Sequence, residues 1–253
     1  MGVIATKNTE VLSLKGLHLY HGDISNCSMR VRMTLEEKDQ QWVSHHLDLK
    51  KNETRTPEYF SINPLGLVPA LVHDGVLMIE SDDIIEYLDK TFPEPALQPA
   101  DEAGRAEVHA WLKLATGIHI KAVKTTIYNN KMRGVFKHSS ADSDEYTKLQ
   151  KDPELIAFHR TSGSAEGFSQ EQIDTARRTL DECWTKAEVA LGQHRWLVGD
   201  SFSLADIAWA PLHFTLIGVN YSFEPFPKVR AWADAVRERP SFQRGVLKWC
   251  QKF

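Results

Sequence analysis

The chain is poor in cysteine, has no surplus of basic charge and contains no long apolar run. Three cysteines, Cys27, Cys183 and Cys250, stand among 253 residues. So odd and widely spaced a set speaks against a secreted disulfide framework and against a thiolate zinc site, and no metal is expected. A reducing, cytoplasmic setting fits better. Lysine and arginine total 30 against 34 aspartate and glutamate, giving a formal charge of -4. Nothing there neutralises a phosphate backbone, so nucleic acid is not an expected partner. No segment approaches the roughly 18 consecutive apolar residues that would span a membrane. The opening MGVIATKNTEVLSLKG lacks the apolar core of a signal peptide, and residues 1–16 read as a short tail.

What remains is an ordinary globular composition, 42% hydrophobic and 25% charged, in a chain long enough to bury about 70–75% of its unfolded surface without staples. Two rhythms divide it. Over 17–92, short strand-like runs alternate with helical ones: a strand at 16–20, a helix over 25–38, a second extended segment at 42–47, and a helical turn at 57–60. A hairpin over 69–79 follows, turning on Asp74-Gly75, and then a helix that Ser81 opens. Three prolines in Phe92–Pro99 then deny a helix its donors, so 93–101 reads as a linker.

Beyond it strand signals vanish. Residues 102–253 read as all-helical and hold six of the seven tryptophans. A long helix over 103–128 is interrupted at Gly117, and others follow at 170–191, 228–237 and 242–248, the last pair broken at Pro240. Ser203-Leu204-Ala205-Asp206 has the form of a capping box. Residues 131–170 form a polar insertion around a helical turn at 154–158, a length of loop that is often functional.

Three short motifs carry possible chemistry. Ser25-Asn26-Cys27-Ser28-Met29-Arg30 stands where a strand turns into a helix, and the free amides there favour an anion. A thiol at such a point is more acidic and more nucleophilic, and Arg30 and Arg32 add positive charge nearby. Cys27 also shares a helix face with Val31 and Leu35, so a small buried hydrophobe is an equal reading. No second cysteine makes a C-x-x-C, so an external thiol would have to complete any redox cycle. Val68-Pro69 enters a strand through a proline and offers the Val68 backbone to an extended peptide, or is merely an edge proline. Glu80-Ser81 opens a helix, where the amides suit a carboxylate and Glu80 an ammonium, unless Ser81 only caps its own helix.

In that order the three outline a site for γ-Glu-Cys-Gly. Through SNCSMRVR, NPLGLVPAL, ESDDIIEYLD and GDSFSLADIAWAP the sequence resembles the glutathione transferase superfamily over nearly everything beyond residue 16. The resemblance implies an α/β thioredoxin-like N-terminal domain, an all-α C-terminal domain closing over a small, hydrophobic, aromatic second substrate, and a homodimer. It implies that Val68, before a cis Pro69, pairs with the cysteinyl backbone of glutathione, the co-substrate. Glu80 and Ser81 would hold the γ-glutamyl end. Leu67 stands where many relatives carry Lys or Gln for the glycyl carboxylate, which leaves Lys50, Lys51 or Asn52 for that task. The cysteine stretch is similar to those of the zeta class and of bacterial dehalogenating members. Gly167-Phe168 in the insertion is similar to bacterial lignin β-aryl ether cleaving members.

On this footing Cys27 is the expected catalytic residue, forming a mixed disulfide with glutathione, and Ser25 stabilises the first thiolate. The net reaction would be reductive dehalogenation, deglutathionylation or thiolytic ether cleavage. A conjugating or isomerising transferase using Ser25, or a non-catalytic binding protein, are the alternatives. Family analogy gives His119 and Tyr128 as walls of the second-substrate pocket. Trp111 is expected in the core, His138 and His159 toward water, and Cys183 and Cys250 in structural positions.

Overall fold

The strand-like runs of the first third become strands, and those at 17–21, 70–73 and 76–79 bury most of their side chains. The computed structural model describes residues 2–132 and 146–250. Strands β1 (Val3–Ile4), β2 (Leu17–His21), β3 (Val43–His46), β4 (Ala70–His73) and β5 (Val76–Ile79) form one sheet, ordered β1-β5-β4-β2-β3. Only the β2–β3 pair is parallel, and a parallel pair needs a crossover. Helix α2 (Asn26–Glu37) supplies it, beside α1 (Thr9–Ser13), α3 (Pro57–Ile62) and α4 (Ser81–Thr91). The β4–β5 hairpin turns through Asp74 and Gly75 at φ 50° and 80°, the positive values a tight two-residue turn demands.

Period-two alternation sorts the side chains of β2. Leu17 and Leu19 join Met29, Val31, Ile84 and Ile85 in the large core under α2 and α4. Tyr20 joins Val11, Tyr59, Val72 and Leu77 on the other face. The opening segment departs from the tail expected of it. Val3 pairs with Met78, the Ile79 amide donates to the Gly2 carbonyl at 2.8 Å, and Val11 of α1 is fully buried. A two-residue strand is too short to show periodicity, and its partner lies far along the chain.

The second half is helical: α5 (Glu102–Gly117), α6 (Thr125–Ile127), α7 (Pro153–Gly163), α8 (Gln170–Gln193), α9 (Leu204–Ile217), α10 (Pro227–Arg237) and α11 (Pro240–Gly245). The interruption expected at Gly117 is a change of winding. Two π-helical turns, His119–Lys124 and Tyr128–Met132, flank α6, a feature that recurs at functional sites. Pro240 does not break a helix but opens α11 at its first position, where a missing N–H costs nothing. The helical turn expected at 154–158 is part of α7, which Asp152 caps through the Glu154 and Leu155 amides. Helix α9 runs through the middle, buried along nearly its whole length. Its Ser203/Asp206 capping box is complete, with the Ser203 amide donating to Asp206 at 2.9 Å. Trp111, Trp184 and Trp209 meet edge to face around it at centroid distances of 5.3 and 5.0 Å. No described helix is long and apolar enough to cross a membrane.

Candidate active site

The site begins where β2 hands over to α2. Ser25 is the N-cap: its Oγ accepts the Ser28 amide at 3.2 Å and donates a long hydrogen bond to the Val68 carbonyl at 3.5 Å. Cys27 is the second residue of the helix, half-buried and free. The unpaired amides and dipole of this end favour a negative charge. The two nearby arginines separate. Arg30 stays at the site, donating from Nη1 to Ser81 Oγ at 3.2 Å and from Nε to the Ala208 carbonyl at 3.0 Å. Arg32 turns away and is spent on the Gly22, Asp23 and Gly245 carbonyls.

The Val68–Pro69 peptide bond is cis. The preceding loop is pinned, because Tyr59 OH and Asn63 Nδ2 both donate to the Leu67 carbonyl at 2.7 Å. Among the described residues the Val68 N–H has no partner, which leaves it for an extended peptide laid alongside. Ser81, buried, opens α4, and Glu80 before it holds φ 67° with no side-chain cap of its own. A non-glycine residue rarely adopts that backbone, and such outliers gather at binding sites. Burial pushes the Glu80 carboxyl up, helped by the nearby charges of Cys27, Asp82 and Asp83.

The fold therefore draws Ser25, Cys27, Val68, Pro69, Glu80 and Ser81 into one neighbourhood, through the Ser25–Val68 and Arg30–Ser81 contacts. Lys51 and Asn52 lie apart on the turn after β3. Lys51 pairs loosely with Asp48 at 3.5 Å, and Asn52 takes φ 59°. Neither is hydrogen-bonded to Ser25, Val68 or Ser81.

The π-helical stretch comes within electrostatic reach of Cys27 through Lys124. His119 Nδ1 is buried without a partner, and burial, with Lys124 and Arg30 near, holds the ring neutral. Tyr128 meets Phe158 edge to face at 5.3 Å, and burial raises its phenol. Lys124 was absent from the sequence expectations. Its ammonium, half-buried, lies 5.8 Å from the centre of the Phe158 ring. Burial pulls its pKa down while Cys27 pushes it back up. The signal available was spacing: Lys124 lies four residues before Tyr128 on one helical stretch. Trp111 is in the core and Cys183 is buried there too, while Cys250 is half-buried with its thiol 3.7 Å from the Asp23 carbonyl. His159 is not turned to water: it is half-buried, with Nδ1 2.8 Å from Tyr146 OH. His138 lies outside the described residues. Among those residues no group of three His, Cys, Asp or Glu side chains is placed to hold a metal.

A separate cavity of about 310 Å³ opens between α9 and α10, lined by Ile24, His213, Phe214, Trp232, Phe242 and Cys250 among others. Neither Cys27 nor the π-helical wall contributes to it.

Comparison with known proteins agrees with this fold. Residues 19–96 match the family model of the glutathione S-transferase N-terminal domain, and residues 151–240 that of the C-terminal domain. Protein LigF of Sphingobium sp. strain SYK-6 is 29% identical over 90% of this chain and 91% of its own. The crystal structure of the β-etherase LigF superposes with a TM-score of 0.83 at 30% identity, covering 92% of this chain and 99% of that one. Glutathione S-transferase Z2 of Arabidopsis thaliana is 28% identical over 91% of this chain and 90% of its own. Maleylacetoacetate isomerase of Pseudomonas aeruginosa is 26% identical over 90% of this chain and 93% of its own. With both halves matched in order along one chain, this protein belongs to the glutathione S-transferase family.

Proposed function

We propose that the protein transfers glutathione to a small aromatic electrophile by displacing an oxygen or halide leaving group, and that Cys27 takes the glutathionyl group back when the net reaction is reductive. The observation that carries this is the position of Cys27. It stands in the first turn of α2, within electrostatic reach of both Glu80, at the γ-glutamyl end, and Lys124, in the wall of the second-substrate cleft. The glutathione sulfur belongs between those two. Likeness to the β-etherase LigF favours an aryl ether over the other members of the substrate class.

In this reading Val68 pairs with the cysteinyl backbone of glutathione, and the first amides of α4 with Ser81 hold its γ-glutamyl carboxylate. Glu80 holds its ammonium, and Lys51 or Asn52 meets its glycyl end. The Ser25 hydroxyl donates to the glutathione thiolate. That thiolate forms a bond to the substrate carbon, and the leaving group departs with the bonding pair. In the reductive branch the Cys27 thiolate attacks the sulfur of the adduct. The carbon–sulfur bond breaks, the carbon keeps the pair and takes a proton, and Cys27 becomes a mixed disulfide. A second glutathione releases glutathione disulfide and regenerates the thiol.

Mass spectrometry after turnover tests this. Wild type should gain one glutathione on Cys27 when given a glutathionyl-phenacyl adduct, and Cys27→Ala should lose that reduction while keeping displacement. Reduction persisting in Cys27→Ala, with no adduct in wild type, would return Cys27 to a packing role and leave a transferase that works through Ser25 alone.

A further inference from the structure

A protonated lysine drawn partly out of water is usually held by a carboxylate, because desolvating an isolated cation is costly. Lys124 has none: among the described residues it makes no ion pair or hydrogen bond. Its one recorded contact is the face of Phe158, at 5.8 Å, and a cation so placed gains only about 0.5–2 kcal/mol from the ring. The groups that face it are Cys27 from α2, Arg55, and His119 on its own stretch. Of these only Cys27 can become an anion. Arg30 and the neutral His119 lie close by, so among the described residues the groups around Lys124 other than Cys27 are cationic or neutral. The winding supports this. A π-helical turn spreads more residues over each turn than an α-helix does, and Lys124 closes the first of the two such turns flanking α6.

We propose that Lys124 holds the negative charge on the oxygen of a departing aryloxide and gives that oxygen its proton. The proposal rests on the displacement reaction above and names its leaving group: a phenol joined through oxygen to the carbon under attack. The glutathione sulfur bonds to that carbon, and the carbon–oxygen bond breaks with both electrons on oxygen. The Lys124 ammonium transfers a proton to the aryloxide, and the amine regains one from water, replacing the proton that glutathione lost on forming its thiolate. Burial, which disfavours the charged ammonium, eases that transfer. Phe158 and Tyr128 then flank the departing ring.

Two measurements test Lys124 independently of one another. In the first, 4-nitrophenol is bound to the protein saturated with S-methylglutathione, and its absorbance reports how much is phenolate. Wild type should hold the phenolate about tenfold more tightly than the phenol, Lys124→Arg should keep most of that preference, and Lys124→Met should lose it. No binding by wild type, or equal ionisation in wild type and Lys124→Met, overturns the proposal. In the second, a series of aryl ethers with phenols of rising acidity is cleaved by both proteins. Lys124→Met should lose roughly 100-fold in kcat/KM with unsubstituted phenol as leaving group, and only a few-fold with 4-nitrophenol, which needs little help. Equal loss across the series would place the charge on the sulfur instead and overturn the assignment. If wild type cleaves no ether yet prefers the phenolate, the anion site stands and the ether reading falls.

Discussion

Arg32 shows how a single side chain fixes the entry to the site. It is fully buried, and no carboxylate meets it. Its guanidinium instead donates to the carbonyls of Gly22 at 2.8 Å, Asp23 at 2.8 Å and Gly245 at 2.6 Å, and to His21 Nδ1 at 3.0 Å. Burial lowers its pKa to about 10, still high enough to keep the charge. Those acceptors belong to the loop that leads into Ser25 and to the end of α11, so one fork ties the thiol-bearing turn to the last helix. Lysine keeps the charge but has a single nitrogen, which cannot reach four acceptors spread around a planar fork. Arg32→Lys should therefore cost about 3 kcal/mol in urea unfolding. It should also raise the KM for glutathione more than it lowers kcat, since the loop loosens while Ser25 and Cys27 remain. An unchanged KM with lowered stability would show that the loop is held by other contacts. The place of Cys27 was legible in the sequence because its signal is local, a small residue at a strand-to-helix turn. The role of Arg32 was not, because its partners are backbone carbonyls, one of them 213 residues away.

At the scale of elements, the contact between α2 and α11 is as close as two backbones allow. A Cβ placed on Gly245 would lie 2.9 Å from the Met33 amide nitrogen and 3.1 Å from the Arg32 carbonyl carbon. Neither backbone atom can step aside as a flexible side chain would. Gly245→Val should push α11 off α2 and cost about 2–3 kcal/mol, read as a lower melting temperature. Gly192→Ala, which meets nothing within 4 Å, should leave the temperature where it is or raise it slightly. A similar effect from both would mean that glycine flexibility and not the close approach matters at 245. Which elements could be read from the sequence follows from how they are encoded. The helix of Ser25 and Cys27, the hairpin at Asp74-Gly75 and the Ser203 capping box each have a periodic or turn signature, and each stands where it was read. Strand β1 has two residues and no period to detect. The π-helical turns lie inside a continuous helical pattern, where an α and a π winding differ by about one residue per turn. That is why analogy alone pointed to His119 and Tyr128, and no periodic signal drew attention to Lys124 between them.

Over the whole molecule, acid stability is set by buried histidines in both halves, His21, His119 and His213 among them. Burial, with Arg32, His46 and His45 close by, lowers the His21 pKa from 6.5 to about 3, and burial alone lowers His213 to about 4. Between those values and 6.5 the unfolded chain binds a proton at each position that the folded chain refuses. Stability is then complete above pH 6.5 and declines as the pH falls toward 4 and 3, by up to about 1.4 kcal/mol per unit for each histidine. Asp206 works in the opposite sense. Burial raises its carboxyl to about 6, so a folded form that keeps this proton loses less as the medium acidifies. Four hydrogen bonds from Leu197, Ser203 and Trp232 favour its charged form and hold the rise to that value, and against one such carboxyl the histidines prevail. Urea unfolding should show the protein weaker at pH 5 than at pH 7 by about 2–4 kcal/mol. His213→Gln takes one of these protons out of the balance, because glutamine fills the space without titrating. The variant starts lower at pH 7 through lost packing, yet its further fall to pH 5 should be smaller by about 2 kcal/mol. An identical slope in both proteins would mean that His213 is already protonated in the folded state, and that the α9–α10 cavity beside it admits enough water to solvate the charge.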